Sequence, residues 1–85
     1  MRKPKASQEA TTTLPARSVR VGHRYVSSPT GGRARQRNGS WPAVTKASFL
    51  QKGEDDQPTV YIETSDKPGW TYCLSPDEQV TVVSS

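Results

Sequence analysis

Thr59-Val60-Tyr61-Ile62-Glu63-Thr64 is the stretch on which the fold turns. It is β-branched and aromatic, and its alternation puts Val60 and Ile62 on one face, the signature of a half-buried strand. Asp66-Lys67-Pro68-Gly69 then makes a tight turn, and residues 70–74 pair back as a further strand. Working upstream, residues 44–50 read as a strand, joined to the central one by a polar turn over 51–58 that carries Glu54-Asp55-Asp56. Working downstream, Ser75-Pro76-Asp77-Glu78 has the form of a single helical turn. Ser75 stands as N-cap, Pro76 at the first helical position and Glu78 three residues after the cap. Residues 79–83 form the last strand.

Nearer the N-terminus, Val19-Arg20-Val21 alternates, Gly22-His23 interrupts, and Tyr25-Val26 resumes, which predicts a strand over 19–26 with a Gly-centred bend or bulge. Residues 27–42 are rich in Gly, Ser, Pro and Arg, with turn signals at Pro29-Thr30-Gly31-Gly32 and Asn38-Gly39. A connection of that length in a small domain is often functional or mobile. Residues 1–18 lack either periodicity and read as a flexible basic tail, with Ser7-Gln8-Glu9-Ala10 as a transient helical turn. The predicted strands are therefore 19–26, 43–50, 59–64, 70–74 and 79–83. The predicted inward residues are Val19, Val21, Val26, Val44, Phe49, Val60, Ile62, Leu74, Val80 and Val82, with Trp70 and one or two tyrosines also in the core. A sheet this small buries one face only by curling over itself, so the expected fold is all-β, a small five-stranded barrel over 19–83.

The order of elements (strand with a central Gly, long loop, three-strand meander, one-turn helix, short final strand) resembles a Src-homology-3-like small barrel. Val19-Arg20-Val21-Gly22-His23-Arg24-Tyr25-Val26 resembles the apolar-x-apolar-Gly-Asp-x-apolar opening of many such barrels, with His23 where Asp is usual. Leu74-Ser75-Pro76-Asp77-Glu78-Gln79-Val80-Thr81-Val82 is similar to the ending of small barrel proteins of actinobacteria and their phages. The peptide-binding signatures of the signalling members are not evident, so a proline-rich ligand is not carried over.

Of 85 residues, 31% are apolar, which supports one small core. No run approaches the ~18 apolar residues of a membrane span. The cations of Met1-Arg2-Lys3-Pro4-Lys5 are not followed by an apolar stretch of the kind a secretory signal needs. A cytoplasmic protein without membrane contact is expected. The net charge of +4 hides an asymmetry: residues 1–38 hold nine of the twelve basic residues against Glu9 alone, and residues 39–85 hold three lysines against seven acids. A basic half of this kind is directed at an anionic partner or at the acidic half of the same chain.

Catalytic constellations are not visible. Cys73 is the single cysteine, so no internal disulfide is available, and it reads as a small apolar strand residue rather than a reactive thiol. His23, after a glycine, reads as an exposed turn histidine. Glu54-Asp55-Asp56 lacks the alternating oxygen ligands of a calcium loop and reads as a solvated turn. Gly31-Gly32 is not followed by the Lys-Ser/Thr of a phosphate loop, and Asn38-Gly39-Ser40 is a turn. No enzyme activity, metal or cofactor is expected.

Two features carry a binding function. Arg33, Arg35 and Arg37 recur at every second residue, so an extended loop turns three guanidinium groups to one side, suited to successive phosphates; the alternative is a solubilising loop. Trp41 closes that loop, and an aromatic beside a basic loop is the pairing that stacks bases of single-stranded nucleic acid; the alternative is a lid over one end of the barrel. The expected function is a non-enzymatic module that contacts DNA or RNA non-specifically through Arg17, Arg20, Arg24, Arg33, Arg35, Arg37 and Trp41, aided by Arg2, Lys3 and Lys5. The alternative is a protein-interaction or regulatory module that binds through strand edges and exposed aromatics.

Overall fold

The structure, a computed structural model, describes residues 11–83. Arg2, Lys3 and Lys5 and the helical turn expected over 7–10 lie outside the described residues. Seven strands occur among the described residues: β1 Thr11–Pro15, β2 Arg24–Ser28, β3 Gly32–Arg33, β4 Val44–Leu50, β5 Thr59–Thr64, β6 Thr71–Leu74 and β7 Gln79–Val83. They form two antiparallel sheets, β1-β7-β2-β3 and β4-β5-β6. The all-β reading holds, and the meander β4-β5-β6 follows from the alternation of Val60 and Ile62, both buried.

The closed five-stranded barrel does not. The backbones of the two sheets are joined at a bridge between Arg24 and Ala43. There Tyr25 N–H donates to Pro42 O at 2.9 Å and Val44 N–H donates to His23 O at 2.9 Å. No ladder joins β6 to β1 or β3 among the described residues, so the barrel is open. Two strands were not expected. Residues 11–15 pair with β7 in unbroken register, Thr11 opposite Val83 through Pro15 opposite Gln79, where the sequence suggests a tail. Thr11, Thr12 and Thr13 are all exposed at this sheet edge, which suits their polar side chains, and Leu14 is the residue that packs against the core. Residues 32–33 pair with Ser27 and Ser28 inside the expected loop. The helical turn expected over 75–78 is a single turn closed by Glu78 N–H donating to Ser75 O at 3.0 Å. The 3₁₀ turns lie instead at Ala16–Ser18 and Glu54–Asp56.

The core comprises Ala16, Val19, Tyr25, Val44, Val60, Ile62, Tyr72, Leu74, Val80 and Val82. Val26 is buried outside that cluster. Three expected core residues are exposed: Val21, Phe49 and Trp70. The predicted first strand begins only at Arg24, because Gly22 (φ +108°) turns the chain and leaves Val21 on the outside of the bend. Phe49 lies opposite buried Val60 in register, near the end of β4, and although it lines a depression with Ala16 and Val19 it keeps 42% of its surface exposed. Trp70 follows the Gly69 turn, ahead of the first paired residue of β6. Cys73 is exposed as well. Its neighbours Tyr72 and Leu74 face inward, so the two-residue period of the strand points the thiol outward.

Tyr25 ties the sheet to the loop that follows it. Its hydroxyl lies 2.8 Å from Ser28 Oγ and donates to Gly32 O at 2.7 Å. Ser28 Oγ also accepts from Gly31 N–H at 2.9 Å. A Cβ on Gly31 would sit 2.6 Å from the Tyr25 hydroxyl and 2.9 Å from Tyr72 Cδ1, so only glycine allows the chain this close.

Candidate functional site

The loop after β3 is short-circuited by a tight hairpin. Arg37 and Ser40 exchange both backbone hydrogen bonds, at 2.8 and 3.0 Å. Between them Asn38 (φ +54°) and Gly39 (φ +78°) both adopt the left-handed region. This is the pattern of a type I′ turn, which Asn-Gly adopts with least strain. The hairpin holds Arg37 near Trp41.

Trp41 is half-buried and lines an open cleft of about 480 Å³ together with Arg24, Arg35, Gln36, Arg37, Ser40, Pro42, Ser65 and Asp66. The β5–β6 turn supplies Ser65 and Asp66. It is drawn to the base of the loop by Ser65 N–H donating to Ala43 O at 2.8 Å and by Ala43 N–H donating to Ser65 Oγ at 3.1 Å. Arg24 is fixed in place, since its Nη1 donates to Trp41 O at 2.7 Å. Arg33 does not line the cleft; its guanidinium lies over the indole of Trp41, 5.3 Å from the ring centroid, a cation–π contact. The side chains of Arg35 and Arg37 are exposed, and neither has a protein partner among the described residues. A guanidinium that satisfies nothing in its own fold keeps its fork of donors for an anion.

The seven residues read from the sequence thus divide. Arg24, Arg35, Arg37 and Trp41 surround one cleft, with Arg33 stacked on Trp41. Arg17 and Arg20 stand elsewhere. Arg17 is engaged with the Asp77 carboxylate and with Pro76 O at 3.4 Å. Arg20 Nη1 donates to Arg17 O at 3.2 Å, and both residues line a separate shallow depression with Phe49. Sequence reading missed Ser65 and Asp66, because their approach depends on pairing across more than twenty residues, for which the turn carries no local signal.

The other candidate chemistries are accounted for by structure. His23 is half-buried rather than exposed, and its Nδ1 accepts from Arg20 N–H at 3.0 Å while His23 N–H donates to Arg20 O at 3.1 Å. It clamps the Gly22 turn. Partial desolvation and the negative Glu54 push the Cys73 thiol upward, away from the thiolate form that reacts. Glu54 accepts from the Tyr61 hydroxyl at 3.0 Å, and no metal-binding cluster occurs among the described residues. No helix among them is long and apolar enough to cross a membrane. No known protein family, curated protein or solved structure matches this chain.

Proposed function

We propose that this protein is a non-catalytic nucleic-acid-binding module that grips a phosphate backbone at the cleft between the arginine loop and the β5–β6 turn. The observation that carries the reading is the convergence on Trp41 of Arg24, Arg35 and Arg37, two of them with side chains that have no partner among the described residues. Arg35 and Arg37 supply forked donors to phosphate oxygens, and Arg24, held against Trp41 O, contributes positive charge. The indole offers a stacking surface, which favours single strands whose bases are free. Arg17 and Arg20 lie outside this cleft, tied to Asp77 and to the backbone of Arg17 respectively, and take no part in this contact. Fluorescence anisotropy of a labelled single-stranded oligonucleotide at low salt tests the reading: binding that weakens steeply with salt supports it, and an absence of binding to DNA and RNA rejects it.

A protein-docking role is the second reading, favoured by the exposure of Trp70 (59%) and Leu50 (49%) and by the single pairing of β1 and β6. Capture of stoichiometric partners that survive nuclease treatment favours this reading over the first.

A further inference from the structure

The arginine cleft contains one residue that phosphate binding does not explain. Asp66 lines it, half-buried, beside Arg24, Arg35 and Arg37. Its Oδ1 accepts from the Thr64 hydroxyl at 2.6 Å, and it forms no ion pair among the described residues. A carboxylate here repels a phosphate and weakens the very field the arginines make. Thr64 uses one of its acceptor positions, and the others suit a ligand that presents hydrogen-bond donors. Nucleobases do so unequally. Guanine alone sets two adjacent N–H donors, N1–H and the N2 amine, on its Watson–Crick edge. Adenine and cytosine place a ring acceptor next to their amine, and uracil flanks one N–H with two carbonyls, so each of these meets a carboxylate with a repulsive lone pair.

Resting on the binding function above, we propose that the cleft is a guanine-selective nucleotide site: the base stacks on the cleft side of Trp41, Asp66 accepts from its Watson–Crick edge, and Arg35 and Arg37 hold the adjoining phosphates. The dimensions agree, since about 480 Å³ lies within the range of cavities that enclose small ligands. The chemistry agrees as well. Thr64 occupies one lone pair of Oδ1 and fixes the carboxylate, and a carboxylate offers about four acceptor positions, so a pair of donors is still accommodated. Trp41 itself lines the cleft while Arg33, which lies over the ring, does not, so the ring edge and surface that reach the cleft belong to Trp41 alone.

The test compares three nine-nucleotide RNAs, oligouridine, the same strand with one central guanosine, and the same strand with inosine there, at fixed low salt. Inosine lacks only the N2 amine. The guanosine strand is expected to bind about tenfold more tightly than the inosine or all-uridine strand, the discrimination usual for a lost hydrogen bond to a charged partner. Asp66→Asn, which retains an acceptor for Thr64, should abolish that preference and bind oligouridine about threefold more tightly, because a negative charge has left the cleft. A merely structural Asp66 predicts weaker binding to every strand. Equal affinity of wild-type protein for all three strands overturns guanine selectivity and leaves nucleic-acid binding standing. Failure to bind any of them at low salt overturns both. The wild-type comparison needs no variant, so a poorly folded Asp66→Asn protein does not protect the proposal.

Discussion

The rings of Tyr25 and Tyr72 stack with centroids 5.1 Å apart and planes inclined by 26°, joining β2 of one sheet to β6 of the other within the core. In an open barrel this contact does part of the work that a closing strand pair does elsewhere. Aromatic pairs add about 0.5–1.5 kcal/mol beyond the area they bury. The same Tyr25 hydroxyl reaches Gly32 O, so the packing that joins the sheets also fixes the root of the arginine loop.

Tyr25→Phe therefore keeps the stack and removes the hydroxyl. Gly32 O and Ser28 Oγ lose a buried partner, at a cost of about 1–2 kcal/mol. For a domain of this size the melting temperature should fall by roughly 5–10 °C. A scan by circular dichroism checks this, and an unchanged midpoint contradicts the assignment of the loop root to Tyr25.

The same residue sets an alkaline limit. Burial pushes the Tyr25 phenol above its ordinary value of 10.0, against the smaller opposing effect of its hydrogen bond with Ser28. Below pH 10 both folded and unfolded chains hold the proton, and the stabilisation is complete. Above it the unfolded chain releases the proton first, so stability falls as pH rises toward the raised folded value. Tyr61 shifts in the same direction, with burial first and its hydrogen bond to Glu54 second, so Tyr25→Phe should flatten the decline without abolishing it. Urea midpoints measured from pH 8 to 11 in both proteins report the difference.

Gly31→Ala forces a methyl to within 3 Å of the Tyr25 hydroxyl, Ser28 Oγ and Tyr72 Cδ1. Overpacking of this kind costs about 1–3 kcal/mol. Gly39→Ala, which meets nothing within 4 Å but has φ +78°, should cost less and act only on the hairpin that presents Arg37. A larger loss of melting temperature for Gly39→Ala than for Gly31→Ala would reverse the account of the two glycines.

Removal of residues 1–15 takes β1 from the edge of β7, deleting five paired residues, and removes Leu14 from the core it packs against. The shortened chain should melt well below the full one. A tail that packs against nothing predicts no change, and an unchanged denaturant midpoint would restore that reading.

What the sequence made legible follows from how local each signal is. The β4-β5-β6 meander rests on two-residue alternation and on turns of a few residues, so its strands appear within one or two residues of their expected places. The Asn38-Gly39 turn is equally local, since two positive-φ positions in succession select that pair of residues. The first strand was misplaced because Gly22 turns the chain rather than bulging it. β1 escaped notice because three threonines at a sheet edge look like a polar tail until their partner, β7, is known. Phe49 and Trp70 are large and apolar, yet their burial depends on whether the barrel closes, which no local pattern states. The arginines at 33, 35 and 37 were visible as a cluster. Their convergence with Arg24 and Asp66 was not, because the Ser65–Ala43 contacts that create the cleft join distant parts of the chain.

The double variant Arg35→Ala/Arg37→Ala, compared with wild type in single-strand affinity between 50 and 200 mM salt, tests the central claim most directly. Both side chains are exposed and without a partner among the described residues, so melting temperature should stay within the effect of surface substitutions, about 0.5 kcal/mol each. Wild-type affinity should fall steeply with salt, and the slope of log affinity against log salt should be shallower in the variant by about 1.4, two contacts at ~0.7 each for a single strand. Identical slopes and affinities in two equally stable proteins would contradict phosphate binding at this cleft.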